Sequence, residues 1–515
     1  MRRPLAACVF AAIFAMVGSA EGASPDAARL SKDPSGLFWF MHISDLHIGA
    51  NLLEGPNAKP HLAFALGEAV TVIKPSFVWA TGDLQDGSGK IGIDGTGIPT
   101  SGQSQTQWDW YKQLYQDAAM KVGFYFDLVG NHDVYGDQGA SYYLANSLWG
   151  STQHKTWMDF KVVTSRGEYR FVGLDSTNDY FKPLSNCCPG FLDDQIAELD
   201  AWLQKNADAK LVFVAAHHSL DGNGSYPTAN ADRVRALLKA NNAFYIHGDM
   251  HEYKEYLDSS GVVVNEIGSL GKSATQNLGV GVVDHDAFVY RATDVEGAWP
   301  FAILTTPVSA SLRDGEVNPW AYSVCKNRVD NPFRAVTFSY EVPTKVAVKV
   351  GGLPEVDMAP VTASFDFSYP VWQAEVDTRS LPAGLVDVTV RVEASGRART
   401  DTVRAKFDDG SCAPLSDQDP SPDAGAVDAG DETGLDVDAA PPADAGADAP
   451  TTNASAPMAV TTASASGCSC RVGAPSEPAG STKLLASAFA LLAVASARRR
   501  RGARASRASR ATRLL

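Results

Sequence analysis

Aspartate, histidine and asparagine recur in this chain in five short runs. These are Ser44-Asp45-Leu46-His47, Thr81-Gly82-Asp83-Leu84-Gln85-Asp86-Gly87, Gly130-Asn131-His132-Asp133, Ala216-His217-His218-Ser219 and His247-Gly248-Asp249-Met250-His251. Carboxylates, imidazoles and a carboxamide are the groups that hold metal ions and move protons. Each run alone is a weak signal: Gly-Asp often makes a turn, Asn-His-Asp can cap a helix, and a histidine pair can be a satisfied core feature. Their order changes the weight. Each follows a short apolar run rich in aromatic and β-branched residues, at 38–43, 77–80, 124–129, 211–215 and 243–246. Such runs read as buried strands, and open α/β sheets bind ligands at the carboxyl ends of their strands.

The elements that must position these groups follow from periodicity. A further strand is expected at 171–174. Helical spacing of three and four joins Ile196, Leu199, Trp202 and Leu203, and again Val234, Leu237 and Leu238. Strands alternating with helices predict an α/β layer sandwich. After about Trp299 the pattern becomes strands without helices, at 302–305, 335–340, 346–350, 364–367 and 386–392, the spacing of a small β-sandwich. Trp108, Trp110 and Tyr111 read either as a stacking surface for a base or, at helix spacing, as core.

The five runs resemble the calcineurin-like metallophosphoesterase superfamily, whose pattern is Asp-x-His, Gly-Asp-x-x-Asp, Gly-Asn-His-Asp/Glu, a later His, and Gly-His-x-His. The match spans about 38–291 and includes Gly173-Leu174-Asp175-Ser176 and Gly190-Phe191-Leu192-Asp193. Downstream, Pro300-Phe301-Ala302-Ile303-Leu304-Thr305-Thr306-Pro307 and the β segment after it resemble the subgroup that includes transmembrane protein 62. The resemblance implies a four-layer sandwich of two mixed β-sheets flanked by helices over 36–295, followed by an immunoglobulin-like β-sandwich over 299–410.

It also implies two metal ions. Asp83 would bridge them, since two cations roughly 3.5–4 Å apart need a shared carboxylate to damp their repulsion. By position in the motif, Asp45, His47 and His251 complete one site, while Asn131 and His217 contribute to the other. Mixed carboxylate, imidazole and carbonyl ligands suit divalent or trivalent manganese, iron or zinc rather than calcium. The expected reaction is attack of a metal-bound hydroxide on a phosphate mono- or diester, with His132 as general acid or charge clamp and Asp133 orienting it. His218 is expected to face substrate or to be structural. Asp86 reads either as a turn former or as a contact to a ligand or to substrate.

One position departs from the family pattern, because Asp249 stands where Gly-His-x-His has its first histidine. A carboxylate is a competent hard ligand but adds negative charge, which favours manganese or iron and opposes an anionic substrate; its shorter side chain could also fall short of the metal. His247 is a poorer substitute, two residues farther from the strand end. A reading of another class is a surface binding or adhesion module with an inactive phosphoesterase-like scaffold. The retention of so many ligand-type residues argues against it.

Composition bounds these readings. With 45% hydrophobic residues there is material for a packed core, and 515 residues suggest two or three domains. The net charge of −15 is the same for the region between the ends, because ten arginines near the termini offset ten acids within 417–448. No basic groove follows from that balance, so nucleic acid is not an expected partner and a small phosphoester is.

Both ends read as addresses. Arg2 and Arg3 precede an apolar run and Gly18-Ser19-Ala20, an export signal over 1–20. Residues 411–466 form an acidic Asp/Ala/Pro linker, too poor in large apolar groups to fold. Residues 467–501 carry Cys468-Ser469-Cys470, an apolar run at 484–497 and an arginine cluster, and 502–515 are a basic tail. This resembles the myxobacterial C-terminal sorting tail, which implies sorting and processing machinery as a partner, membrane association through the tail, and a protein at the cell surface or outer membrane or secreted after processing. Export permits disulfides, but the connectivity of Cys187, Cys188, Cys325 and Cys412 does not follow from sequence.

Overall fold

A computed structural model describes residues 30–415 except 51–54, 56, 88–101, 138, 178–188, 223–226, 273–275, 362–370, 411 and 413–414. The export signal, most of the acidic linker, the C-terminal tail, Cys187, Cys188 and the strand expected at 364–367 lie outside the described residues. The described residues fall within one compact unit. Among them no helix is long and apolar enough to cross a membrane.

Eleven strands make the first two sheets. They are β1 Phe38–Ile43, β2 Val78–Ala80, β3 Tyr125–Asp127, β4 Met158–Thr164, β5 Gly167–Gly173, β6 Leu211–Ala215, β7 Phe244–His247, β8 Lys254–Leu257, β9 Val263–Glu266, β10 Asn277–Asp284 and β11 Ala287–Asp294. One sheet runs β11-β10-β1-β2-β3 and the other β4-β5-β6-β7-β9-β8. Both are mixed, with β1, β2 and β3 mutually parallel in the first and β5, β6, β7 and β9 parallel in the second.

Alternation along the strands explains the layers. Phe38 and Phe40 of β1 point between the sheets, where they join Phe77, Trp79, Phe126, Phe160, Phe171, Phe213 and Phe244 in an aromatic core. Trp39, Met41 and Ile43 point the other way, onto Leu62, Leu66 and Trp108. On the far side of the second sheet, Val172, Val214 and Tyr245 pack against Ile196, Leu199 and Leu203 of the helix Asp193–Lys205 and Val234 of the helix Ala231–Ala240. Strands buried on both faces read in sequence as continuous apolar runs, which is why their positions were legible. Trp108 and Tyr111 are core, with Tyr111 Oη donating to Asp127 Oδ2 at 2.7 Å; Trp110 is 41% exposed and lies under the Lys59 ammonium.

The remaining strands are β12 Phe301–Thr306, β13 Ser323–Cys325, β14 Asn331–Phe338, β15 Lys345–Val350, β16 Val356–Asp357, β17 Ala359–Val361, β18 Val371–Val376, β19 Gly384–Ala394 and β20 Arg397–Asp408. They form the sheets β12-β14-β18-β17 and β13-β20-β19-β15-β16. A disulfide joins Cys325 at the end of β13 to Cys412. Ile303, Val336, Val348, Val390 and Phe407 from these sheets share one apolar cluster with Trp39 and Leu62 of the first part of the chain.

Two ion pairs cross the same join, the first fully buried and the second partly. Arg334 of β14 is fully buried and donates from Nη1 to both oxygens of Asp284 on β10, at 2.7 and 2.9 Å, and from Nη2 to the Ser31 carbonyl at 2.6 Å. Burial alone raises the Asp284 carboxyl, yet Arg334 and His285 pull it well below the usual carboxylate range. Arg291 of β11 bonds Asp401 of β20 at 3.0 Å and Glu255 of β8 at 3.2 Å. Removing one partner of a buried pair strands the other charge, so Arg334→Met should cost about 3–5 kcal/mol in denaturant unfolding. Adding Asp284→Asn should return most of that loss; a single-variant cost below about 1 kcal/mol would contradict this account.

Candidate metal centre

The carboxyl ends of β1, β2, β3, β6 and β7 meet where the two sheets face each other, and they bring the five chemical runs together. The loops are tied by their backbones: Asp45 N–H donates to Gly82 O at 3.0 Å, His47 N–H to Asp83 O at 2.9 Å and Gly248 N–H to His217 O at 3.1 Å. Asp45, His47, Asp83, Asp249 and His251 all have positive φ, between 44° and 68°. Non-glycine residues seldom adopt this region, and each costs of order 1 kcal/mol or more. Five such residues in one centre indicate that the fold holds the backbone where the side chains must converge.

Two overlapping groups of side chains result. In the first, Asp45 Oδ1 lies 3.1 Å from His251 Nε2 and 3.8 Å from His47 Nε2, while the two imidazole nitrogens are 3.1 Å apart. In the second, His217 Nε2 lies 3.0 Å from Asn131 Oδ1, 3.3 Å from Asp83 Oδ1 and 3.9 Å from Asp249 Oδ1. Asp83 belongs to both, since its Oδ2 is 3.7 Å from His47 Nε2. The ligand atoms of Asp45, His47 and His251, of Asp45, Asp83 and His217, and of His217, His218 and Asp249 each lie within 4.8 Å of one another.

These contacts suit cations better than they suit the side chains alone. Asp45 Oδ1 is buried yet makes no aligned hydrogen bond among the described residues, as expected of an oxygen aimed at a shared space. Burial pushes the Asp249 carboxyl up to about 7, reinforced by the charges of Asp45 and Asp83 and only partly opposed by His217. Burial disfavours the charged form of His217, but Asp83, Asp45 and Asp249 carry its pKa well above the ordinary value. Positive charge is what this centre lacks. Its side chains are prepared to receive it: His217 Nδ1 donates to the Thr81 carbonyl at 2.8 Å, so Nε2, on the Asp83 side, is the nitrogen that would give up its proton to a cation. Asn131 Nδ2 donates to Tyr135 Oη at 3.1 Å, which turns Oδ1 toward His217.

His132 sits on the more open side, with 17% of its side chain exposed against 28% for His251 and 1% or less for Asp45, His47 and His217. Its Nε2 is 3.7 Å from Asp83 Oδ2. The expected role of Asp133 as its orienting partner is not what the structure shows. The Asp133 carboxylate is fully buried and filled by the N–H groups of Gly130 at 2.8 Å, Leu84 at 2.9 Å and Gln85 at 3.2 Å. It therefore clamps the loop after β3 to the loop after β2. His132 Nδ1 donates instead to the Asp86 carbonyl at 2.6 Å. His218 is 3% exposed, with Nδ1 2.8 Å from Ser176 Oγ, so it packs behind His217 rather than facing solvent.

Asp86 faces an imidazole and an ammonium at once: its Oδ1 lies 3.1 Å from His47 Nδ1, out of line for a well-formed hydrogen bond, and 2.5 Å from Lys272 Nζ. Burial raises its carboxyl, but His47 and Lys272 hold it down at about 2. Sequence reasoning missed Lys272, although it follows the end of β9 and obeys the same strand-end rule. It also missed Gln103 and Gln85, whose side-chain amides both donate to the His132 carbonyl; a lone glutamine upstream of a helix carries no comparable signal.

Gly130 shows how closely the loops approach. A Cβ there would lie 2.2 Å from Asp83 N and 2.3 Å from Asp83 Oδ1. Gly130→Ala should therefore displace Asp83, and the folded fraction of the variant should bind metal roughly 10–100-fold more weakly, as when other supports of metal ligands are disturbed. Metal titration followed by calorimetry checks this, and unchanged affinity would show that Asp83 does not depend on this approach.

Comparison with known proteins places the centre in context. Residues 38–253 match the family described as Calcineurin-like phosphoesterase. Transmembrane protein 62 of Mus musculus is 23% identical over 384 residues, covering 72% of this chain and 55% of that protein, so the chain spans about half the length of this relative. Among solved structures, a dimetal phosphatase from Danio rerio is 16% identical with a TM-score of 0.40, covering 51% of this chain and 97% of that one. A 5'-nucleotidase from Candida albicans is 14% identical with a TM-score of 0.33, covering 52% of each chain. The match to the Calcineurin-like phosphoesterase family coincides with the strands whose ends build the centre.

Proposed function

We propose that this chain is an exported phosphoesterase that uses two metal ions to hydrolyse a small phosphate mono- or diester. The observation that carries the proposal is the convergence of Asp45, His47, Asp83, Asn131, His217, Asp249 and His251 into two overlapping ligand groups that share Asp83. Asp45, His47 and His251 would hold one ion, Asn131, His217 and Asp249 the other, and Asp83 both. The mixture of carboxylate, imidazole and carboxamide oxygen fits manganese, iron or zinc. Once bound, such a pair supplies Lewis acidity and charge for water activation and for the phosphoryl oxygens.

The side chains around the ligands do the rest. His132 keeps Nδ1–H on the Asp86 carbonyl, which fixes the ring with Nε2 toward the centre. From Nε2 it would hand a proton to the leaving alkoxide, or stabilise that charge. The aromatic core between the sheets, from Phe40 to Phe213, gives the strand ends a rigid base, so the ligands need not reorganise as charge develops.

Export, an immunoglobulin-like character for the region after 299, and surface placement through the C-terminal tail are parts of the same proposal. The Cys325–Cys412 disulfide supports export, because such bonds persist mainly in oxidising compartments.

Hydrolysis of a chromogenic aryl phosphate with added manganese tests the reading. Asp83→Asn and His132→Ala should each lower turnover at least about 100-fold. The absence of wild-type turnover across several metals and esters would overturn it. Comparing a mono- and a diester of one alcohol then fixes the ester class. For Asp249, elemental analysis of Asp249→Ala should find one tightly held ion per chain where the parent holds two; two ions in the variant would remove Asp249 from the ligand set.

A further inference from the structure

The loop after β9 is part of the centre although none of its residues is a proposed ligand. Leu270 N–H donates to Ser44 O at 3.0 Å, Gly271 N–H to Asp45 O at 3.0 Å, and Ser269 Oγ to the same Asp45 oxygen at 2.8 Å. Gly271 is required by this approach, since a Cβ there would lie 1.9 Å from Leu46 O. The backbone is thus fixed immediately before Lys272, whose Nζ lies 2.5 Å from Asp86 Oδ1. That oxygen is also 3.1 Å from His47 Nδ1 and 4.0 Å from His132 Nδ1. Lys272 is therefore one carboxylate away from both a proposed ligand and the proposed proton donor, and its side chain is 17% exposed, as His132 is.

Charge shows what this placement does. Three ligand carboxylates, Asp45, Asp83 and Asp249, leave two divalent ions with a single positive charge in excess. Asp86 beside them would cancel it. A neutral centre has no electrostatic reason to hold a phosphoryl anion, and the carboxylate at position 249 makes the shortage one charge worse than an imidazole there would. Lys272 restores the balance at Asp86, the one of these four carboxylates that is not a proposed ligand.

We propose that Lys272 neutralises Asp86 so that the metal-loaded centre keeps a net positive charge and binds phosphoryl anions. This inference rests on the dinuclear reading above. Lys272 is a positioning residue for charge, and inorganic phosphate is the simplest probe of it.

The test is calorimetric titration of the manganese-loaded full chain with inorganic phosphate, with metal content measured on every sample. Lys272→Gln should keep two ions per chain and bind phosphate about tenfold more weakly, the scale of one unit charge lost at a partly buried site. Lys272→Arg should bind as the parent does. The charge-balanced Asp86→Asn/Lys272→Gln should recover to within about threefold of the parent. Parental phosphate affinity in Lys272→Gln overturns the proposal. So does loss of metal from that variant, which would make Lys272 a support for His47, and so does a double variant that holds two ions yet binds as weakly as the single one, which would mean direct contact between Lys272 and phosphate. If the parent itself holds no pair of ions, the dinuclear reading fails; two ions with a flat phosphate series sink only the role of Lys272.

Discussion

Asp45, Asp83 and Asp249 approach the same small volume from three different loops, and their mutual repulsion is the constraint around which the centre is built. In a water-poor site such charges repel strongly unless positive groups lie between them. The protein opposes the repulsion mechanically. Backbone hydrogen bonds run from the Asp45 loop to the Asp83 loop and from the Asp249 loop to the His217 loop. Asp133 ties the Asn131 loop to the Asp83 loop through three N–H groups. The positive φ angles at five of the converging residues are the strain that remains after these ties. A carboxylate serving as a clamp, Asp133, thus keeps another carboxylate, Asp83, where two ligand groups can share it.

The same economy extends beyond the centre. β10 and β11 lie at the edge of the first sheet, next to β1, and they are also where the later strands attach. The buried pair Arg334–Asp284 and the half-buried pair Arg291–Asp401 lie at that join, and Thr305 and Thr306 both donate to Asp284 Oδ2 at 2.8 Å. The later sheets therefore brace the strand that neighbours β1, whose carboxyl end carries Asp45 and His47.

Strand positions and the five chemical runs were readable in sequence for a physical reason. Buried parallel strands must be apolar along their whole length, and ligands cluster at one end of them, so an apolar run followed by Asp, His or Asn is a local signal of a tertiary arrangement. The roles of particular side chains were less readable. Asp133 looked like a partner for its sequence neighbour His132, but a 3₁₀ turn at His132–Val134 points the two side chains apart and gives the carboxylate to backbone donors 48 and 49 residues away. Gln103 reaches the His132 carbonyl from 29 residues upstream, and no spacing rule records such a contact. The Cys325–Cys412 pairing was likewise open, because the two cysteines are 87 positions apart and the strands between them decide which sulfurs meet.

Asp249 links these observations. Its side chain is shorter than the histidine that the family pattern has, yet its Oδ1 stands 3.9 Å from His217 Nε2, so the substitution changes the charge of the centre more than the reach of its side chains. The φ of 68° at Asp249 and its N–H bond to Asp45 Oδ2 at 3.0 Å bring the backbone close enough to compensate for the lost length. Charge has no such local remedy, because the bound ions see every carboxylate within several ångströms. A residue that answers it must come from another loop with access to the same low-dielectric volume. Among the described residues, the loop after β9 brings a lysine to this centre, and its backbone bonds to Ser44 and Asp45 fix that lysine to the same strand end as the first proposed metal ligands. Charge and geometry at this centre are thus set by different loops, and a replacement in one loop can persist because another, held by the same backbone ties, carries the opposite sign.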